Sequence, residues 1–249
     1  AGSGLGLRTK KVAHLSDILK ASAVRLGRGG VDPMKIVISG LTAAGKTTHG
    51  ALLAEQLGFR FHSSTLTLAE IVAERIARPV LPRWDPAMDE ARLADVGIDE
   101  ELDQRMVHLL DSPGDAVIDA CMLPWVAPSA EHLYVWLDSG LASRVRKCFV
   151  SHLEDGVPWG EARARVLSKD RVTVGQLLKS TGHALNPDPR LFHLIVSNGD
   201  TIPQPTLACA QEGIEMFAPI FRAGVDYCLG VRSHPPTESQ VIQCRPLDA

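Results

Sequence analysis

At 249 residues, 45% hydrophobic and 22% charged, the chain suits one α/β domain with extensions and has enough apolar side chains to build a core. Its 26 basic and 29 acidic side chains leave a formal charge of −3, which argues against general electrostatic binding to nucleic acid or an anionic membrane, though not against a local basic groove. Cys121, Cys148, Cys209, Cys228 and Cys244 are odd in number with no C-x-x-C spacing, so neither a zinc site nor a disulfide framework is indicated and a reducing cytoplasm is expected. No run approaches the roughly 18 apolar residues of a membrane span, and no signal-peptide stretch opens the chain.

In chain order, Ala1-Gly2-Ser3-Gly4 reads as a flexible leader. Val12, Leu15, Leu19, Ala23 and Leu26 recur at helical spacing and predict a helix within 11–26, most simply a cap on the core. Residues 1–33 then form a leader-and-helix unit before the main domain. Lys35-Ile36-Val37-Ile38-Ser39 is an apolar, β-branched run that predicts a buried strand. Gly40-Leu41-Thr42-Ala43-Ala44-Gly45-Lys46-Thr47 follows and fits G-x-x-x-x-G-K-[ST] without a gap. In that pattern the glycines let backbone N–H groups converge on phosphate oxygens, while the lysine reaches the outer phosphates and the hydroxyl serves Mg²⁺. Apolar residues from Thr48 to Leu57 predict the helix whose N-terminus completes the anion site, with Gly58 as its stop.

Phe59 to His62 predicts a second strand, and a helix follows at about 65–78. Pro79 to Asp95 holds three prolines, Arg83, Trp84 and Asp85, and reads as an irregular surface excursion of the kind that forms recognition loops. Ile98 to Leu110 predicts a helix, Ala116 to Asp119 a strand, and Leu133 to Asp138 a further strand, both strands ending in Asp. Arg144 to His152 and Trp159 to Lys179 predict two helices, and Leu191 to Val196 the last strand. The tail from 205 to 249 predicts a helix and then proline-containing coil. Alternating strands and helices favour a parallel sheet covered on both faces, a three-layer α/β/α architecture with its ligands beyond the carboxyl ends of the strands.

The chemistry follows from those ends. Gly40, Thr42, Ala43, Ala44, Gly45, Lys46, Thr47 and Thr48 form the nucleotide-binding set, with Thr47 (or Thr48) as the Mg²⁺ hydroxyl. Asp119 is the expected carboxylate, acting on Mg²⁺ through water or on an acceptor hydroxyl, and Asp138 is the second choice. Charge on a migrating phosphoryl group needs cations around it. Arg144, Arg146 and Lys147 form one cluster, and Arg163, Arg165, Lys169 and Arg171 another. Of these, Arg144, Arg146, Lys169 and Arg171 are the expected charge-balancing residues, carried on a lid over about 144–180 that excludes water.

The order of these pieces over about 34–200 resembles the nucleoside monophosphate kinases, most specifically the archaeal-type cytidylate kinases. Ile98 to Arg105 looks like that family's acidic stretch before its third strand. Val117 to Trp125 sits at its third-strand segment, Arg144-Val145-Arg146-Lys147 at its Arg-rich lid start, Lys169-Asp170 at its Arg-Glu step, and Thr181-Gly182 at its Tyr-Gly. The resemblance implies ATP as donor, Mg²⁺ as cofactor and in-line phosphoryl transfer. The sequence departs from the family on the acceptor side. The family's Gly-Arg is Ala120-Cys121, its second-strand segment is Ser63 to Glu70, and a lid Arg aligns with Gln176. Losing cations that grip a phosphate weakens a monophosphate acceptor, so a hydroxyl on a nucleoside, modified base or specialised metabolite is the expected acceptor, with 79–97 as its insert. Cytidylate-type activity is the first rival, and a kinase of hydroxymethylated bases in DNA is disfavoured by the acidic balance. A nucleotide-driven switch on a protein partner is the reading from another class. A homodimer is left open.

Overall fold

A computed structural model of the protein describes residues 33–80 and 85–248. The helix expected at 11–26, and Arg83 and Trp84, lie outside these residues. In chain order the elements are β1 (Lys35–Ser39), α1 (Lys46–Leu57), β2 (Arg60–Ser63), α2 (Ser64–Ile76), α3 (Pro86–Ala94), α4 (Gly97–Asp111) and β3 (Ala116–Asp119). There follow α5 (Leu123–Val126), β4 (Leu133–Asp138), α6 (Leu141–Val150), α7 (Trp159–Thr181), β5 (Leu194–Ser197), α8 (Leu207–Cys228) and β6 (Val241–Cys244).

The sheet runs β2-β3-β1-β4-β5-β6, parallel except for β6. Every residue of β1 is buried, because successive side chains point to opposite faces and both faces are covered. Ile36 and Ile38 pack with Leu53, Phe217 and Phe221 of α1 and α8. Val37 points the other way and packs with Met106, Leu110 and Trp136. Lys35 begins the strand in this dry setting. Its Nζ is satisfied by the carbonyls of Ser112 at 2.6 Å and Gly114 at 2.7 Å, so the charge is held at the amino end of the sheet.

Three segments differ from the expectations. The 79–95 excursion is not irregular throughout, since 86–94 is helix α3. Asp85 caps it by accepting from the Ala87 N–H at 3.0 Å, and Pro86 stands at the first turn, where a missing N–H costs nothing. Met88 and Ala87 are buried, and Met88 joins Leu68, Ile71 and Ile98 in a separate cluster under α2 and α4. The tail is also not all coil. Its last four-residue strand, β6, adds antiparallel to β5, with Leu194 opposite Cys244. So short a strand has no periodicity of its own and exists because the β5 edge offers it partners. β5 begins at Leu194 rather than Leu191, because the Leu191 and Phe192 N–H groups both turn back to Asp188 O.

Candidate active site

The carboxyl ends of β1, β2 and β3, with α6 and α7 above them, enclose a cleft of about 500 Å³. Its floor is the loop between β1 and α1. Gly40 (φ 144°) and Gly45 (φ 99°) take left-handed conformations there, as does Ala43 (φ 60°). A Cβ on Gly40 would lie 2.5 Å from Leu137 O, so only glycine lets the loop pass this close to β4. The loop then enters α1 with Gly45 as its N-cap, presenting the helix N-terminus to the cleft. Gly40, Thr42, Ala43, Gly45, Lys46, Thr47 and Thr48 line it. Ala44 is buried beneath, with its carbonyl held by Asn198 Nδ2 at 2.8 Å. Lys46 Nζ donates to Leu41 O at 3.1 Å.

Asp119 closes β3 beside this loop. It is buried, and Thr47 Oγ1 donates to its Oδ2 at 2.6 Å, with Ser63 Oγ at 3.5 Å. The parallel register places Ser63 directly opposite Asp119, which is why the end of β2 contributes this hydroxyl. Hydroxyl and carboxylate oxygens at one point form the hard donor set that Mg²⁺ prefers, and the glycine loop is a cradle that side chains would fill. The residues therefore fit both a triphosphate and its metal. Asp138 lies outside the cleft lining and accepts from Trp136 Nε1 at 3.4 Å.

The basic clusters separate once they are wound into helices, because neighbouring residues lie about 100° apart. Arg144 turns under the loop. It donates to Ser139 O at 3.0 Å, Thr42 O at 3.1 Å and Asp170 Oδ2 at 2.6 Å. Asp170 Oδ1 also accepts the Thr42 N–H at 3.0 Å, so the pair clasps the loop backbone instead of facing the cleft as a free charge. Arg146 points away, with Nη1 on Ile202 O at 3.3 Å. Lys147 does line the cleft. Its Nζ bonds Ser139 Oγ at 3.0 Å and Asn198 Oδ1 at 2.6 Å, and burial, helped by the Arg144 charge, lowers its pKa to about 7. On α7, Lys169 faces inward and burial lowers its pKa, whereas Arg171 is exposed and off the cleft.

The far end of the cleft is built differently. Leu66, Leu68, Met88, Leu102 and Met106 supply apolar wall, with Ala120, Cys121 and Met122 beside them. Arg92 of α3 enters here, but its Nε is 2.6 Å from Asp99 Oδ1 and its Nη2 donates to Gln176 Oε1 at 3.0 Å. Gln176 Nε2 donates in turn to Asp99 Oδ2, so one network joins α3, α4 and α7. Asp103, one helical turn after Asp99, also lines the cleft. Burial and then the Asp99 charge raise its pKa, against the pull of Arg92. Sequence reasoning did not single out Arg92, Asp103 or Asn198. The i, i+4 spacing of Asp99 and Asp103 was a usable sign of a shared helix face; nothing local marks Asn198.

No family model matches the chain. A cytidylate kinase of Ignicoccus hospitalis is 33% identical over 137 residues, covering 55% of this chain and 74% of its own. A cytidylate kinase of Pyrococcus horikoshii is 25% identical over 194 residues, covering 78% of this chain and 94% of its own. Among solved structures, a shikimate kinase of Bacteroides thetaiotaomicron has a TM-score of 0.43 at 14% identity, covering 76% of this chain and 98% of its own. Likeness of that size adds nothing to the assignment, which rests on the sequence relatives. The chain belongs to the P-loop nucleoside monophosphate kinase superfamily, in the family of the archaeal cytidylate kinases, and is a phosphotransferase.

Proposed function

We propose that the protein transfers the γ-phosphoryl group of ATP to a hydroxyl of a small acceptor that carries no phosphate of its own. The observation that carries the donor half is the 2.6 Å bond from Thr47 to buried Asp119 at the start of the phosphate-loop helix. Thr47 and Asp119 would hold Mg²⁺, which when bound neutralises charge on the phosphates. Lys46, Lys147 and Lys169 put three amine side chains on the cleft wall, where charge spreads during transfer. Arg144 serves at one remove by fixing the Thr42 backbone. Arg146 and Arg171 are left out by their positions. Residues 144–180, carrying α6 and α7, act as the lid that keeps water from the transferred group.

On the acceptor side, the Arg92 guanidinium is already compensated by Asp99 and held by Gln176. A phosphate would meet a neutralised cation and the carboxylate of Asp103, which disfavours it. An apolar body against Met88 and Met106, with an N–H or O–H donor toward Asp103, suits the same surface. The archaeal relatives support a second reading, in which the acceptor is a nucleoside monophosphate such as CMP.

ADP release measured across matched pairs (cytidine and CMP, adenosine and AMP) together with hydroxylated metabolites separates the two. The first reading expects the phosphate-free partner of a pair to be used at least tenfold more efficiently, with a product heavier by one phosphate. A tenfold preference for CMP would hand the site to the second reading. ATP hydrolysis indifferent to every acceptor would defeat both.

A further inference from the structure

Cys228 and Cys244 stand apart from the cleft and take no part in the chemistry above. Cys228 ends α8 and is buried, while Cys244 ends β6 and is half-buried. They lie 16 positions apart in the chain, yet their sulfurs are 3.6 Å apart. The backbone on both sides is held by bonds that do not involve the thiols. Cys244 pairs in register with Leu194, the Arg245 N–H donates to His193 O at 2.9 Å, and the Leu247 N–H donates to Cys228 O at 2.9 Å. Helix end and strand end are thus presented side by side, and the sulfurs need to approach by about 1.6 Å to reach a bond length near 2.0 Å.

We propose that Cys228 and Cys244 are a redox-responsive pair, oxidised by small-molecule disulfides to an intrachain bond that staples β6 to α8.

The two thiols are unequal in a way that sets the order of events. A hydrogen bond from Cys228 and the nearby Arg232 charge lower the pKa of Cys244, whereas that same bond and burial push Cys228 up. Cys244 is also the more accessible of the two. Its thiolate attacks one sulfur of the incoming disulfide and expels one thiolate, leaving a mixed disulfide on Cys244. Cys228 then gives up its proton to water, attacks the Cys244 sulfur and expels the second thiolate. Two protein thiols are oxidised, one small disulfide is reduced to two thiols, and the two protons pass to the released thiolates.

The staple bears on the kinase site through the sheet. β6 is hydrogen-bonded to β5, and the Ser197 N–H at the end of β5 donates to Gln240 O at 2.8 Å. Asn198, the next residue, holds Ala44 O of the phosphate loop and Lys147. A bond that fastens the tail strand therefore steadies the strand from which the loop is braced.

The test uses the purified wild-type chain, treated with oxidised glutathione, quenched with N-ethylmaleimide and digested without reductant. The expected product is a peptide pair joined through Cys228 and Cys244, reversible by a thiol reductant, in protein that melts at a higher temperature than the reduced form. C228S is expected to accumulate glutathione on Cys244, and C244S to leave Cys228 unmodified while folded. Three wild-type results would overturn the proposal: glutathione on Cys244 without the intrachain bond, no reaction at Cys244, or scrambling to Cys121, Cys148 or Cys209. A joined protein that melts no higher than the reduced one would overturn the stapling. The wild-type result decides, whether or not either variant folds.

Discussion

Arg144 and Asp170 meet in a 2.6 Å ion pair whose side chains are 6% and 15% exposed, and the same two residues hold both sides of the Thr42 peptide. The pair is therefore part of the phosphate loop as much as of the helices that carry it. Removing one partner strands the other charge in a dry place. Asp170→Ala is expected to cost about 3–5 kcal/mol of stability, the usual range for breaking a buried pair, and to weaken ATP binding. Asp170→Asn, which retains an acceptor for the Thr42 N–H, should cost less. Urea unfolding and calorimetric titration with an ATP analogue measure the two effects.

Asp119 is expected to matter for turnover far more than for folding. Asp119→Asn preserves shape and retains a partner for Thr47 Oγ1, but it removes the charge that suits the metal. Its kcat should fall by about 10²–10³-fold, the scale seen when one preorganised electrostatic group is lost. Lys46→Ala should abolish turnover under any reading of the acceptor. Circular dichroism and melting curves close to wild type would show that the chemistry, and not the fold, had been lost. Near-normal turnover in Asp119→Asn would refute its assignment.

Lys147 predicts a pH dependence. Burial lowers its folded pKa to about 7, below the ordinary value of 10.5. Between those values the unfolded chain holds a proton that the folded chain has released, so unliganded stability should rise as pH increases from 7 toward 10.5. ATP affinity should move the other way, falling as the charge on the cleft wall is lost. Lys147→Arg keeps its charge across this range and should flatten the affinity profile. Titrations at a series of pH values from 6 to 9 check both signs.

Asp85 caps the helix that delivers Arg92. Asp85→Ala should cost about 1 kcal/mol, the typical value of a lost N-cap. The stronger expectation concerns function: KM for the acceptor should rise more than KM for ATP, because the α3 residues that line the cleft, Met88 and Arg92, stand at its far end. Steady-state kinetics with each substrate varied in turn would reveal the split. Equal changes in both constants would contradict the division of the cleft.

Much of the donor half is legible in the sequence. A loop of this kind is a local object, and the glycines, Lys46 and Thr47 that define it are consecutive, as are the apolar strand and helix flanking it. Asp119 was legible for the same reason, being a carboxylate at the end of a four-residue apolar run. The start of α3 was also written locally, since Asp85-Pro86 followed by Asp89 and Glu90 is a helix-start signal. The three prolines around it obscured that reading.

Pairing across the sheet and direction around each helix were decided only by the fold. Arg144, Arg146 and Lys147 are near neighbours in the chain, yet one clasps the loop, one faces Ile202 and one reaches the cleft. Winding turns each residue by about 100° and packing then fixes which side is dry. Arg92, Asp99 and Gln176 come from three helices, and Asn198 lies 154 positions from the Ala44 carbonyl it holds. Sequence by itself determined the phosphate loop, the strand ends around it and the family. Tertiary structure decided which cations line the cleft, which side chains form its far wall, and that the tail returns as a strand, because those depend on contacts between residues far apart in the chain.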